Sequence, residues 1–144
     1  MTRLIIQIPC FNEEESIART LADLPRKIEG VDELFVLLID DGSADNTARV
    51  GLENGADYVV QHPSNRGLAK AYITGIQTSL ALGGDIIVNT DADNQYPGRY
   101  IPDLIAPVLK RRTIDSTGST SSNGRGVSAN LKSSNPRSVP RWLD

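Results

Sequence analysis

The chain has 144 residues, 39% of them hydrophobic, which is room for one domain with a modest core. Residues 1–110 carry 16 acids against 9 Lys/Arg, a net −7, and residues 111–144 carry 6 Lys/Arg against 2 acids, a net +4. The acidic body excludes nucleic-acid binding through a broad basic face and suits a site that recruits a divalent cation; the single cysteine, Cys10, excludes an internal disulfide.

In chain order, "RLIIQIP" (3–9) is a short β-branched run that reads as a buried strand. It is too short for a signal peptide, and acids follow it. Next, "EEESIARTLADLPRKI" (13–28) shows helical spacing at Ile17, Leu21, Leu24 and Ile28. Asn12 can cap this helix with Glu15 as its reciprocal partner, and Glu13 to Glu15 complement the positive helix end. "LFVLLID" (34–40) is a second strand, and "DNTARVGLEN" (45–54) a second helix that Ser43 or Asp45 can cap and that stops at Gly55. "DYVVQH" (57–62) and "RGLAKAYITGIQTSLALG" (66–83) give a third pair, stopped by Gly83 and Gly84. "DIIVNTD" (85–91) is a fourth strand, and "GRYIPDLIAPVLKRR" (98–112) a last helix weakened by Pro102 and Pro107. This alternation implies an α/β domain over residues 1–110, a mainly parallel sheet covered by helices through right-handed crossovers. Residues 111–144, rich in Ser, Thr, Asn and Gly, form a low-complexity tail that is expected to be disordered, and the abrupt change reads as a truncated or frame-shifted end. Trp142 has no assigned role. No stretch approaches the ~20 apolar residues that span a bilayer, and the chain reads as soluble and cytoplasmic.

Ligands of open parallel sheets bind beyond the carboxyl ends of the strands. Four polar clusters fall there and suggest one shared site. In "DADNQYP", extended backbone would aim Asp91, Asp93 and Gln95 to one side, an oxygen set suited to Mg²⁺ or Mn²⁺ with a diphosphate completing the shell. The alternative is an Asx-type turn with solvated acids. Ala92 is small enough for a ligand to approach the backbone. In "IDDGSADNT", Asp40 or Asp41 can accept a ring N–H of uracil or guanine, or both can serve the turn. In "PCFNEEE", Pro9 takes the chain out of the sheet. Phe11 either stacks on a base or packs in the core, and Glu13 either reaches a ribose hydroxyl or complements the helix dipole. In "PSNRGLAKA", Arg66, Lys70 and the helix N-terminus could face phosphates. Cys10 reads as core packing, and His62 has no assigned role.

Taken together and in this order, "IPCFNEEESI", "LLIDDGSADNTARV", "NRGLAKAYITGI" and "DIIVNTDADNQYP" resemble the family 2 glycosyltransferases over residues 3–110, nearest to the dolichol- or polyprenyl-phosphate mannose synthases. The resemblance implies a three-layer, Rossmann-like GT-A fold, a GDP- or UDP-linked sugar donor, and inverting hexose transfer assisted by Mg²⁺ or Mn²⁺. A polyprenyl phosphate at the cytoplasmic face of a membrane is the implied acceptor. By position, Pro9, Phe11, Glu13, Asp41, Asp91 and Ala92 would line the nucleotide-sugar pocket, and Asp91, Asp93 and Gln95 would hold the metal. Phe11 stands where that family usually has Tyr. The carboxylate base expected C-terminal to the match has no counterpart in residues 111–144. The alternative is a nucleotide- and metal-binding module without transfer, and a receiver-like domain built on Asp40 and Asp41 ranks lower.

Overall fold

A computed structural model describes residues 1–95 and 97–117. Its elements are β1 (Arg3–Cys10), α1 (Ile17–Ala22), β2 (Glu33–Asp40), α2 (Thr47–Glu53), β3 (Tyr58–Gln61), α3 (Leu68–Ala81), β4 (Ile86–Asn89) and α4 (Ile101–Thr117), the last entered through a 3₁₀ turn, Gly98–Tyr100. The four strands form one parallel sheet in the order β3-β2-β1-β4. The chain winds outward through β2 and β3, then returns to the other side of β1. The strand order therefore reverses between β1 and β4, and a crevice opens at their carboxyl ends.

Alternation along β1 separates two cores. Leu4, Ile6, Ile8 and Cys10 face Ile17, Leu21, Leu24, Ile101 and Ile105, so α1 and α4 cover one side together with Val50 of α2. Ile5, Leu37, Ile39 and Val60 face the other side, where Ala71 of α3 packs. The result is three layers, α/β/α. Each fully buried Ile or Leu contributes about 1.5–3 kcal/mol relative to exposure.

One residue breaks the buried apolar run of β1. Gln7, fully buried at the centre of β1, donates from Nε2 to Asn89 Oδ1 at 3.0 Å, and its Oε1 accepts from Ser79 Oγ at 3.4 Å. Gly75 makes room for it, because a Cβ there would lie 2.7 Å from Gln7 Oε1.

The helices differ from their sequence expectations at the ends. The helix expected over 13–28 is only Ile17–Ala22, with Ser16 as N-cap residue rather than Asn12. Asn12 is left-handed (φ 51°), and its side chain is engaged elsewhere. Both glycine stops form as expected. Gly83 N–H donates to Leu80 O and Gly84 N–H to Ser79 O, the paired bonds of a Schellman motif. After α2, Ala56 N–H reaches back to Gly51 O across left-handed Gly55. The last helix runs to Thr117, past the expected 112. Pro102 sits in its first turn, where no intrahelical N–H is needed. Pro107 removes a bond to the carbonyl of Asp103, and both residues are exposed, so water can satisfy that group. The expected tail thus begins inside α4; residues 118–144, with Trp142, lie outside the described residues. No helix among the described residues is long and apolar enough to cross a membrane.

Candidate functional site

The exits of β1 and β2 are tied together before any ligand is considered. Asn12 N–H donates to Ser43 Oγ at 2.8 Å, and Ala44 N–H donates to Asn12 Oδ1 at 2.9 Å. Glu13 N–H reaches Thr47 Oγ1 at 2.9 Å, and Asn46 N–H reaches Glu14 Oε2 at 2.9 Å. Asp45 accepts from Thr47 N–H at 3.0 Å and from the Thr47 hydroxyl. Burial alone would raise the Asp45 carboxyl; the bonds from Thr47 outweigh it and hold it below the usual range. Most polar residues of "FNEEE" and "DDGSADNT" therefore join two loops, a use that spacing within either stretch does not reveal.

Asp40 and Asp41 have separate tasks. Asp40 accepts from Ser43 N–H at 3.0 Å and Gln61 Nε2 at 3.2 Å, so it serves the turn and the neighbouring strand. Asp41, also buried, accepts from three donors. Arg66 N–H (2.9 Å) and His62 Nδ1 (2.7 Å) meet Oδ1, and Gly67 N–H (2.8 Å) meets Oδ2. Burial opposes ionisation, but the bonds from His62, Arg66 and Gly67 prevail and hold the carboxyl below its ordinary value. His62 is buried and reaches Thr74 Oγ1 of α3 at 2.9 Å through Nε2. The sequence offered no signal for this, since His62 and Asp41 are 21 residues apart.

A cleft of about 310 Å³ opens where these loops meet the exit of β4, lined by Pro9, Cys10, Phe11, Glu13, Asp41, Asn65, Gly67, Leu68, Ala71, Asp91, Ala92 and Asp93. Phe11 is 44% exposed and faces the cleft, so its packing reading is excluded. Glu13 Oε2 accepts from Ser16 Oγ at 2.8 Å, which fixes the carboxylate at the rim. Burial first, then Asp40, Glu13, Asp45 and Asp41, push the Cys10 thiol far up, so it packs rather than reacts. The side chains of Arg66 and Lys70 are exposed and do not line the cleft; the start of α3 does, through Gly67, Leu68 and Ala71.

The "DADNQ" segment is not extended. One further ladder bond, Thr90 N–H to Gln7 O at 3.1 Å, follows β4, and the chain then turns at Ala92 and Asp93. Ala92 is buried, and its carbonyl accepts from Thr20 Oγ1 at 2.6 Å, which pins the turn to α1. Asp93 Oδ1 accepts from Gln95 N–H at 3.1 Å, an Asx turn, and Asn94 is left-handed (φ 60°). The turn still brings Asp91 and Asp93, both exposed, to the cleft, whereas exposed Gln95 does not line it. Among the described residues no three His, Cys, Asp or Glu side chains cluster tightly enough for an all-protein cage. Two carboxylates fit a hard cation that keeps open positions for phosphate and water, the habit of Mg²⁺ and Mn²⁺. A second cleft of about 410 Å³, lined by Val88, Tyr100, Ile101 and Leu104 among others, shares Asp91 with the first.

Comparison with known proteins bears on this geometry. Residues 5–142 match the profile described as "Glycosyl transferase family 2". The undecaprenyl-phosphate mannosyltransferase of Micrococcus luteus is 34% identical over 117 residues, covering 78% of this chain and 46% of that protein. The dolichol-phosphate mannosyltransferase of Pyrococcus furiosus is 28% identical over 109 residues, covering 74% and 30%. Among solved structures, glucosyl-3-phosphoglycerate synthase from Mycobacterium tuberculosis in complex with UDP superposes with a TM-score of 0.59 at 30% identity, covering 75% of this chain and 40% of that one. The same synthase has been solved with Mn²⁺, UDP and glucosyl-3-phosphoglycerate. The chain spans less than half the length of these relatives.

Proposed function

This chain belongs to glycosyl transferase family 2, and we propose that its cleft binds a nucleoside-diphosphate hexose, GDP- or UDP-linked, together with Mg²⁺ or Mn²⁺. The observation that carries this reading is the convergence of Phe11, Glu13, Asp41, Asp91 and Asp93 on one cleft at the reversal of strand order. Phe11 stacks on the base, Asp41 accepts its ring N–H, and Glu13 meets the ribose. Pro9 and Ala92 form the floor and let the ligand approach the main chain. Asp91 and Asp93 hold the cation, and Gln95 contributes its N–H to the orientation of Asp93 rather than a ligand atom. When bound, the cation neutralises the charge that grows on the departing diphosphate.

The reaction is transfer of the hexose with inversion to an acceptor, and a polyprenyl phosphate is the acceptor class favoured by the names of the related mannosyltransferases. The apolar cleft beside Asp91 supports an acceptor with an apolar body on that flank. Such a protein would work peripherally at a cytoplasmic membrane surface. Residues 1–110 make up the donor-binding unit; no described residue is assigned as the base that takes the acceptor's proton. The second reading is a module that holds nucleotide and metal without transfer.

Incubation with labelled UDP- or GDP-hexose, Mn²⁺ and a short-chain polyprenyl phosphate separates the two. Label in the lipid phase supports transfer. Metal-dependent donor binding without labelled lipid supports the binding module. Absence of donor binding overturns both.

A further inference from the structure

The geometry points to uracil rather than guanine as the base this cleft selects. The inference rests on the reading of the cleft as a nucleoside-diphosphate site and deepens it. An ionised carboxylate offers about four acceptor positions, two per oxygen. Asp41 has three of them filled from within the chain. Oδ1 takes both the Nδ1–H of His62 and the N–H of Arg66, and Oδ2 takes the N–H of Gly67.

None of these donors can be diverted cheaply. Two are main-chain groups at the start of α3. The third belongs to a buried ring whose other nitrogen is held by Thr74 at 2.9 Å. Because an ionised carboxylate only accepts, Nδ1 of His62 donates to Asp41, and Nε2 is paired with the Thr74 hydroxyl at 2.9 Å. One acceptor position remains on Asp41, on Oδ2, in a cleft lined also by Phe11, Asn65 and Gly67.

The edges of the bases differ in the number of donors they offer. Uracil presents one, N3–H, between two carbonyl acceptors, and one position on Oδ2 satisfies it. Guanine presents two adjacent donors, N1–H and the N2 amino group, which a carboxylate satisfies with both oxygens. Here Oδ1 has no position left, so the second donor would be desolvated without a partner. Adenine and cytosine would turn a ring-nitrogen lone pair toward the carboxylate, which repels it. A polar edge left unpaired against the buried Asp41 carboxylate costs more than a modest loss of stacking area.

The test is isothermal titration of the native chain, in Mn²⁺, with UDP, GDP, CDP, ADP and N3-methyl-UDP. UDP is expected to bind at least about tenfold tighter than the other natural diphosphates. N3-methylation is expected to weaken UDP by about tenfold to a hundredfold, the loss of one charge-assisted hydrogen bond. GDP binding as tightly as UDP, or N3-methyl-UDP binding like UDP, would overturn the base assignment while leaving the nucleotide site standing. If no diphosphate binds, the nucleotide-site reading falls with it.

Discussion

Two glycines beside Asp41 separate backbone strain from steric clash. Gly42 follows Asp41 with φ +76°, and a Cβ there would lie 2.5 Å from the carbonyl carbon of Ser64 and 2.7 Å from Asn65 N. Gly67 has φ +95°, ψ 160°, a conformation other residues rarely adopt, but a Cβ there meets nothing within 4 Å. Gly67→Ala therefore carries only the conformational cost, about 1–3 kcal/mol. Gly42→Ala carries a similar cost and adds overpacking of about 1–3 kcal/mol, because the obstacle is main chain and cannot rotate away. At about 4 °C per kcal/mol for a domain of this size, Gly42→Ala should melt about 4–12 °C below Gly67→Ala. Circular dichroism melts of the two variants and the native chain measure this. The displaced 64–65 segment leads directly into the amides that hold Asp41, so UDP affinity should fall in Gly42→Ala as well. Equal melting temperatures for the two variants, or Gly42→Ala within 2 °C of native, would refute the close approach of the two loops.

Thr20→Val removes the 2.6 Å bond to the Ala92 carbonyl at nearly constant volume; urea denaturation should show a loss of about 1–2 kcal/mol, and Mn²⁺-dependent nucleotide binding should weaken because the turn bearing Asp91 and Asp93 is freed. Phe11→Ala should leave the melting temperature within about 2 °C, since the ring is half-exposed, yet weaken nucleotide binding roughly tenfold through lost stacking. Asp41 and Asp45 are both lowered in the folded state, so their contribution is present above the unfolded carboxylate value of about 3.9 and is lost as pH falls through the folded values. The urea midpoint should be flat above about pH 5 and decline below about pH 4, and Asp45→Asn should flatten part of that decline.

The sheet was legible in the sequence because its central strands, β1 and β2, are buried on both faces and so appear as short, continuous apolar runs between turn residues. Their order also placed the polar clusters at one end, as the cleft shows. Helix ends were less legible. Asn12 looks like a cap, yet its side chain is committed to Ala44, a loop 32 residues away, and α1 starts only at Ile17. The same long-range pairing hid the role of His62, whose partners come from the exit of β2 and from α3. The expectation that alternate residues of "DADNQ" share a side assumed a continuing strand. β4 ends at Asn89, and the Thr20 hydroxyl of α1 holds the segment in a turn instead.

The central claim is that Asp91 and Asp93 hold a cation that joins nucleotide to cleft. Calorimetric titration of UDP into the native chain in Mn²⁺, in EDTA, and into Asp91→Ala and Asp93→Ala chains tests it most directly. Binding in Mn²⁺ alone, lost in both variants while their melting temperatures hold, is the predicted result. UDP binding of equal affinity in EDTA, or in the two variants, would contradict it.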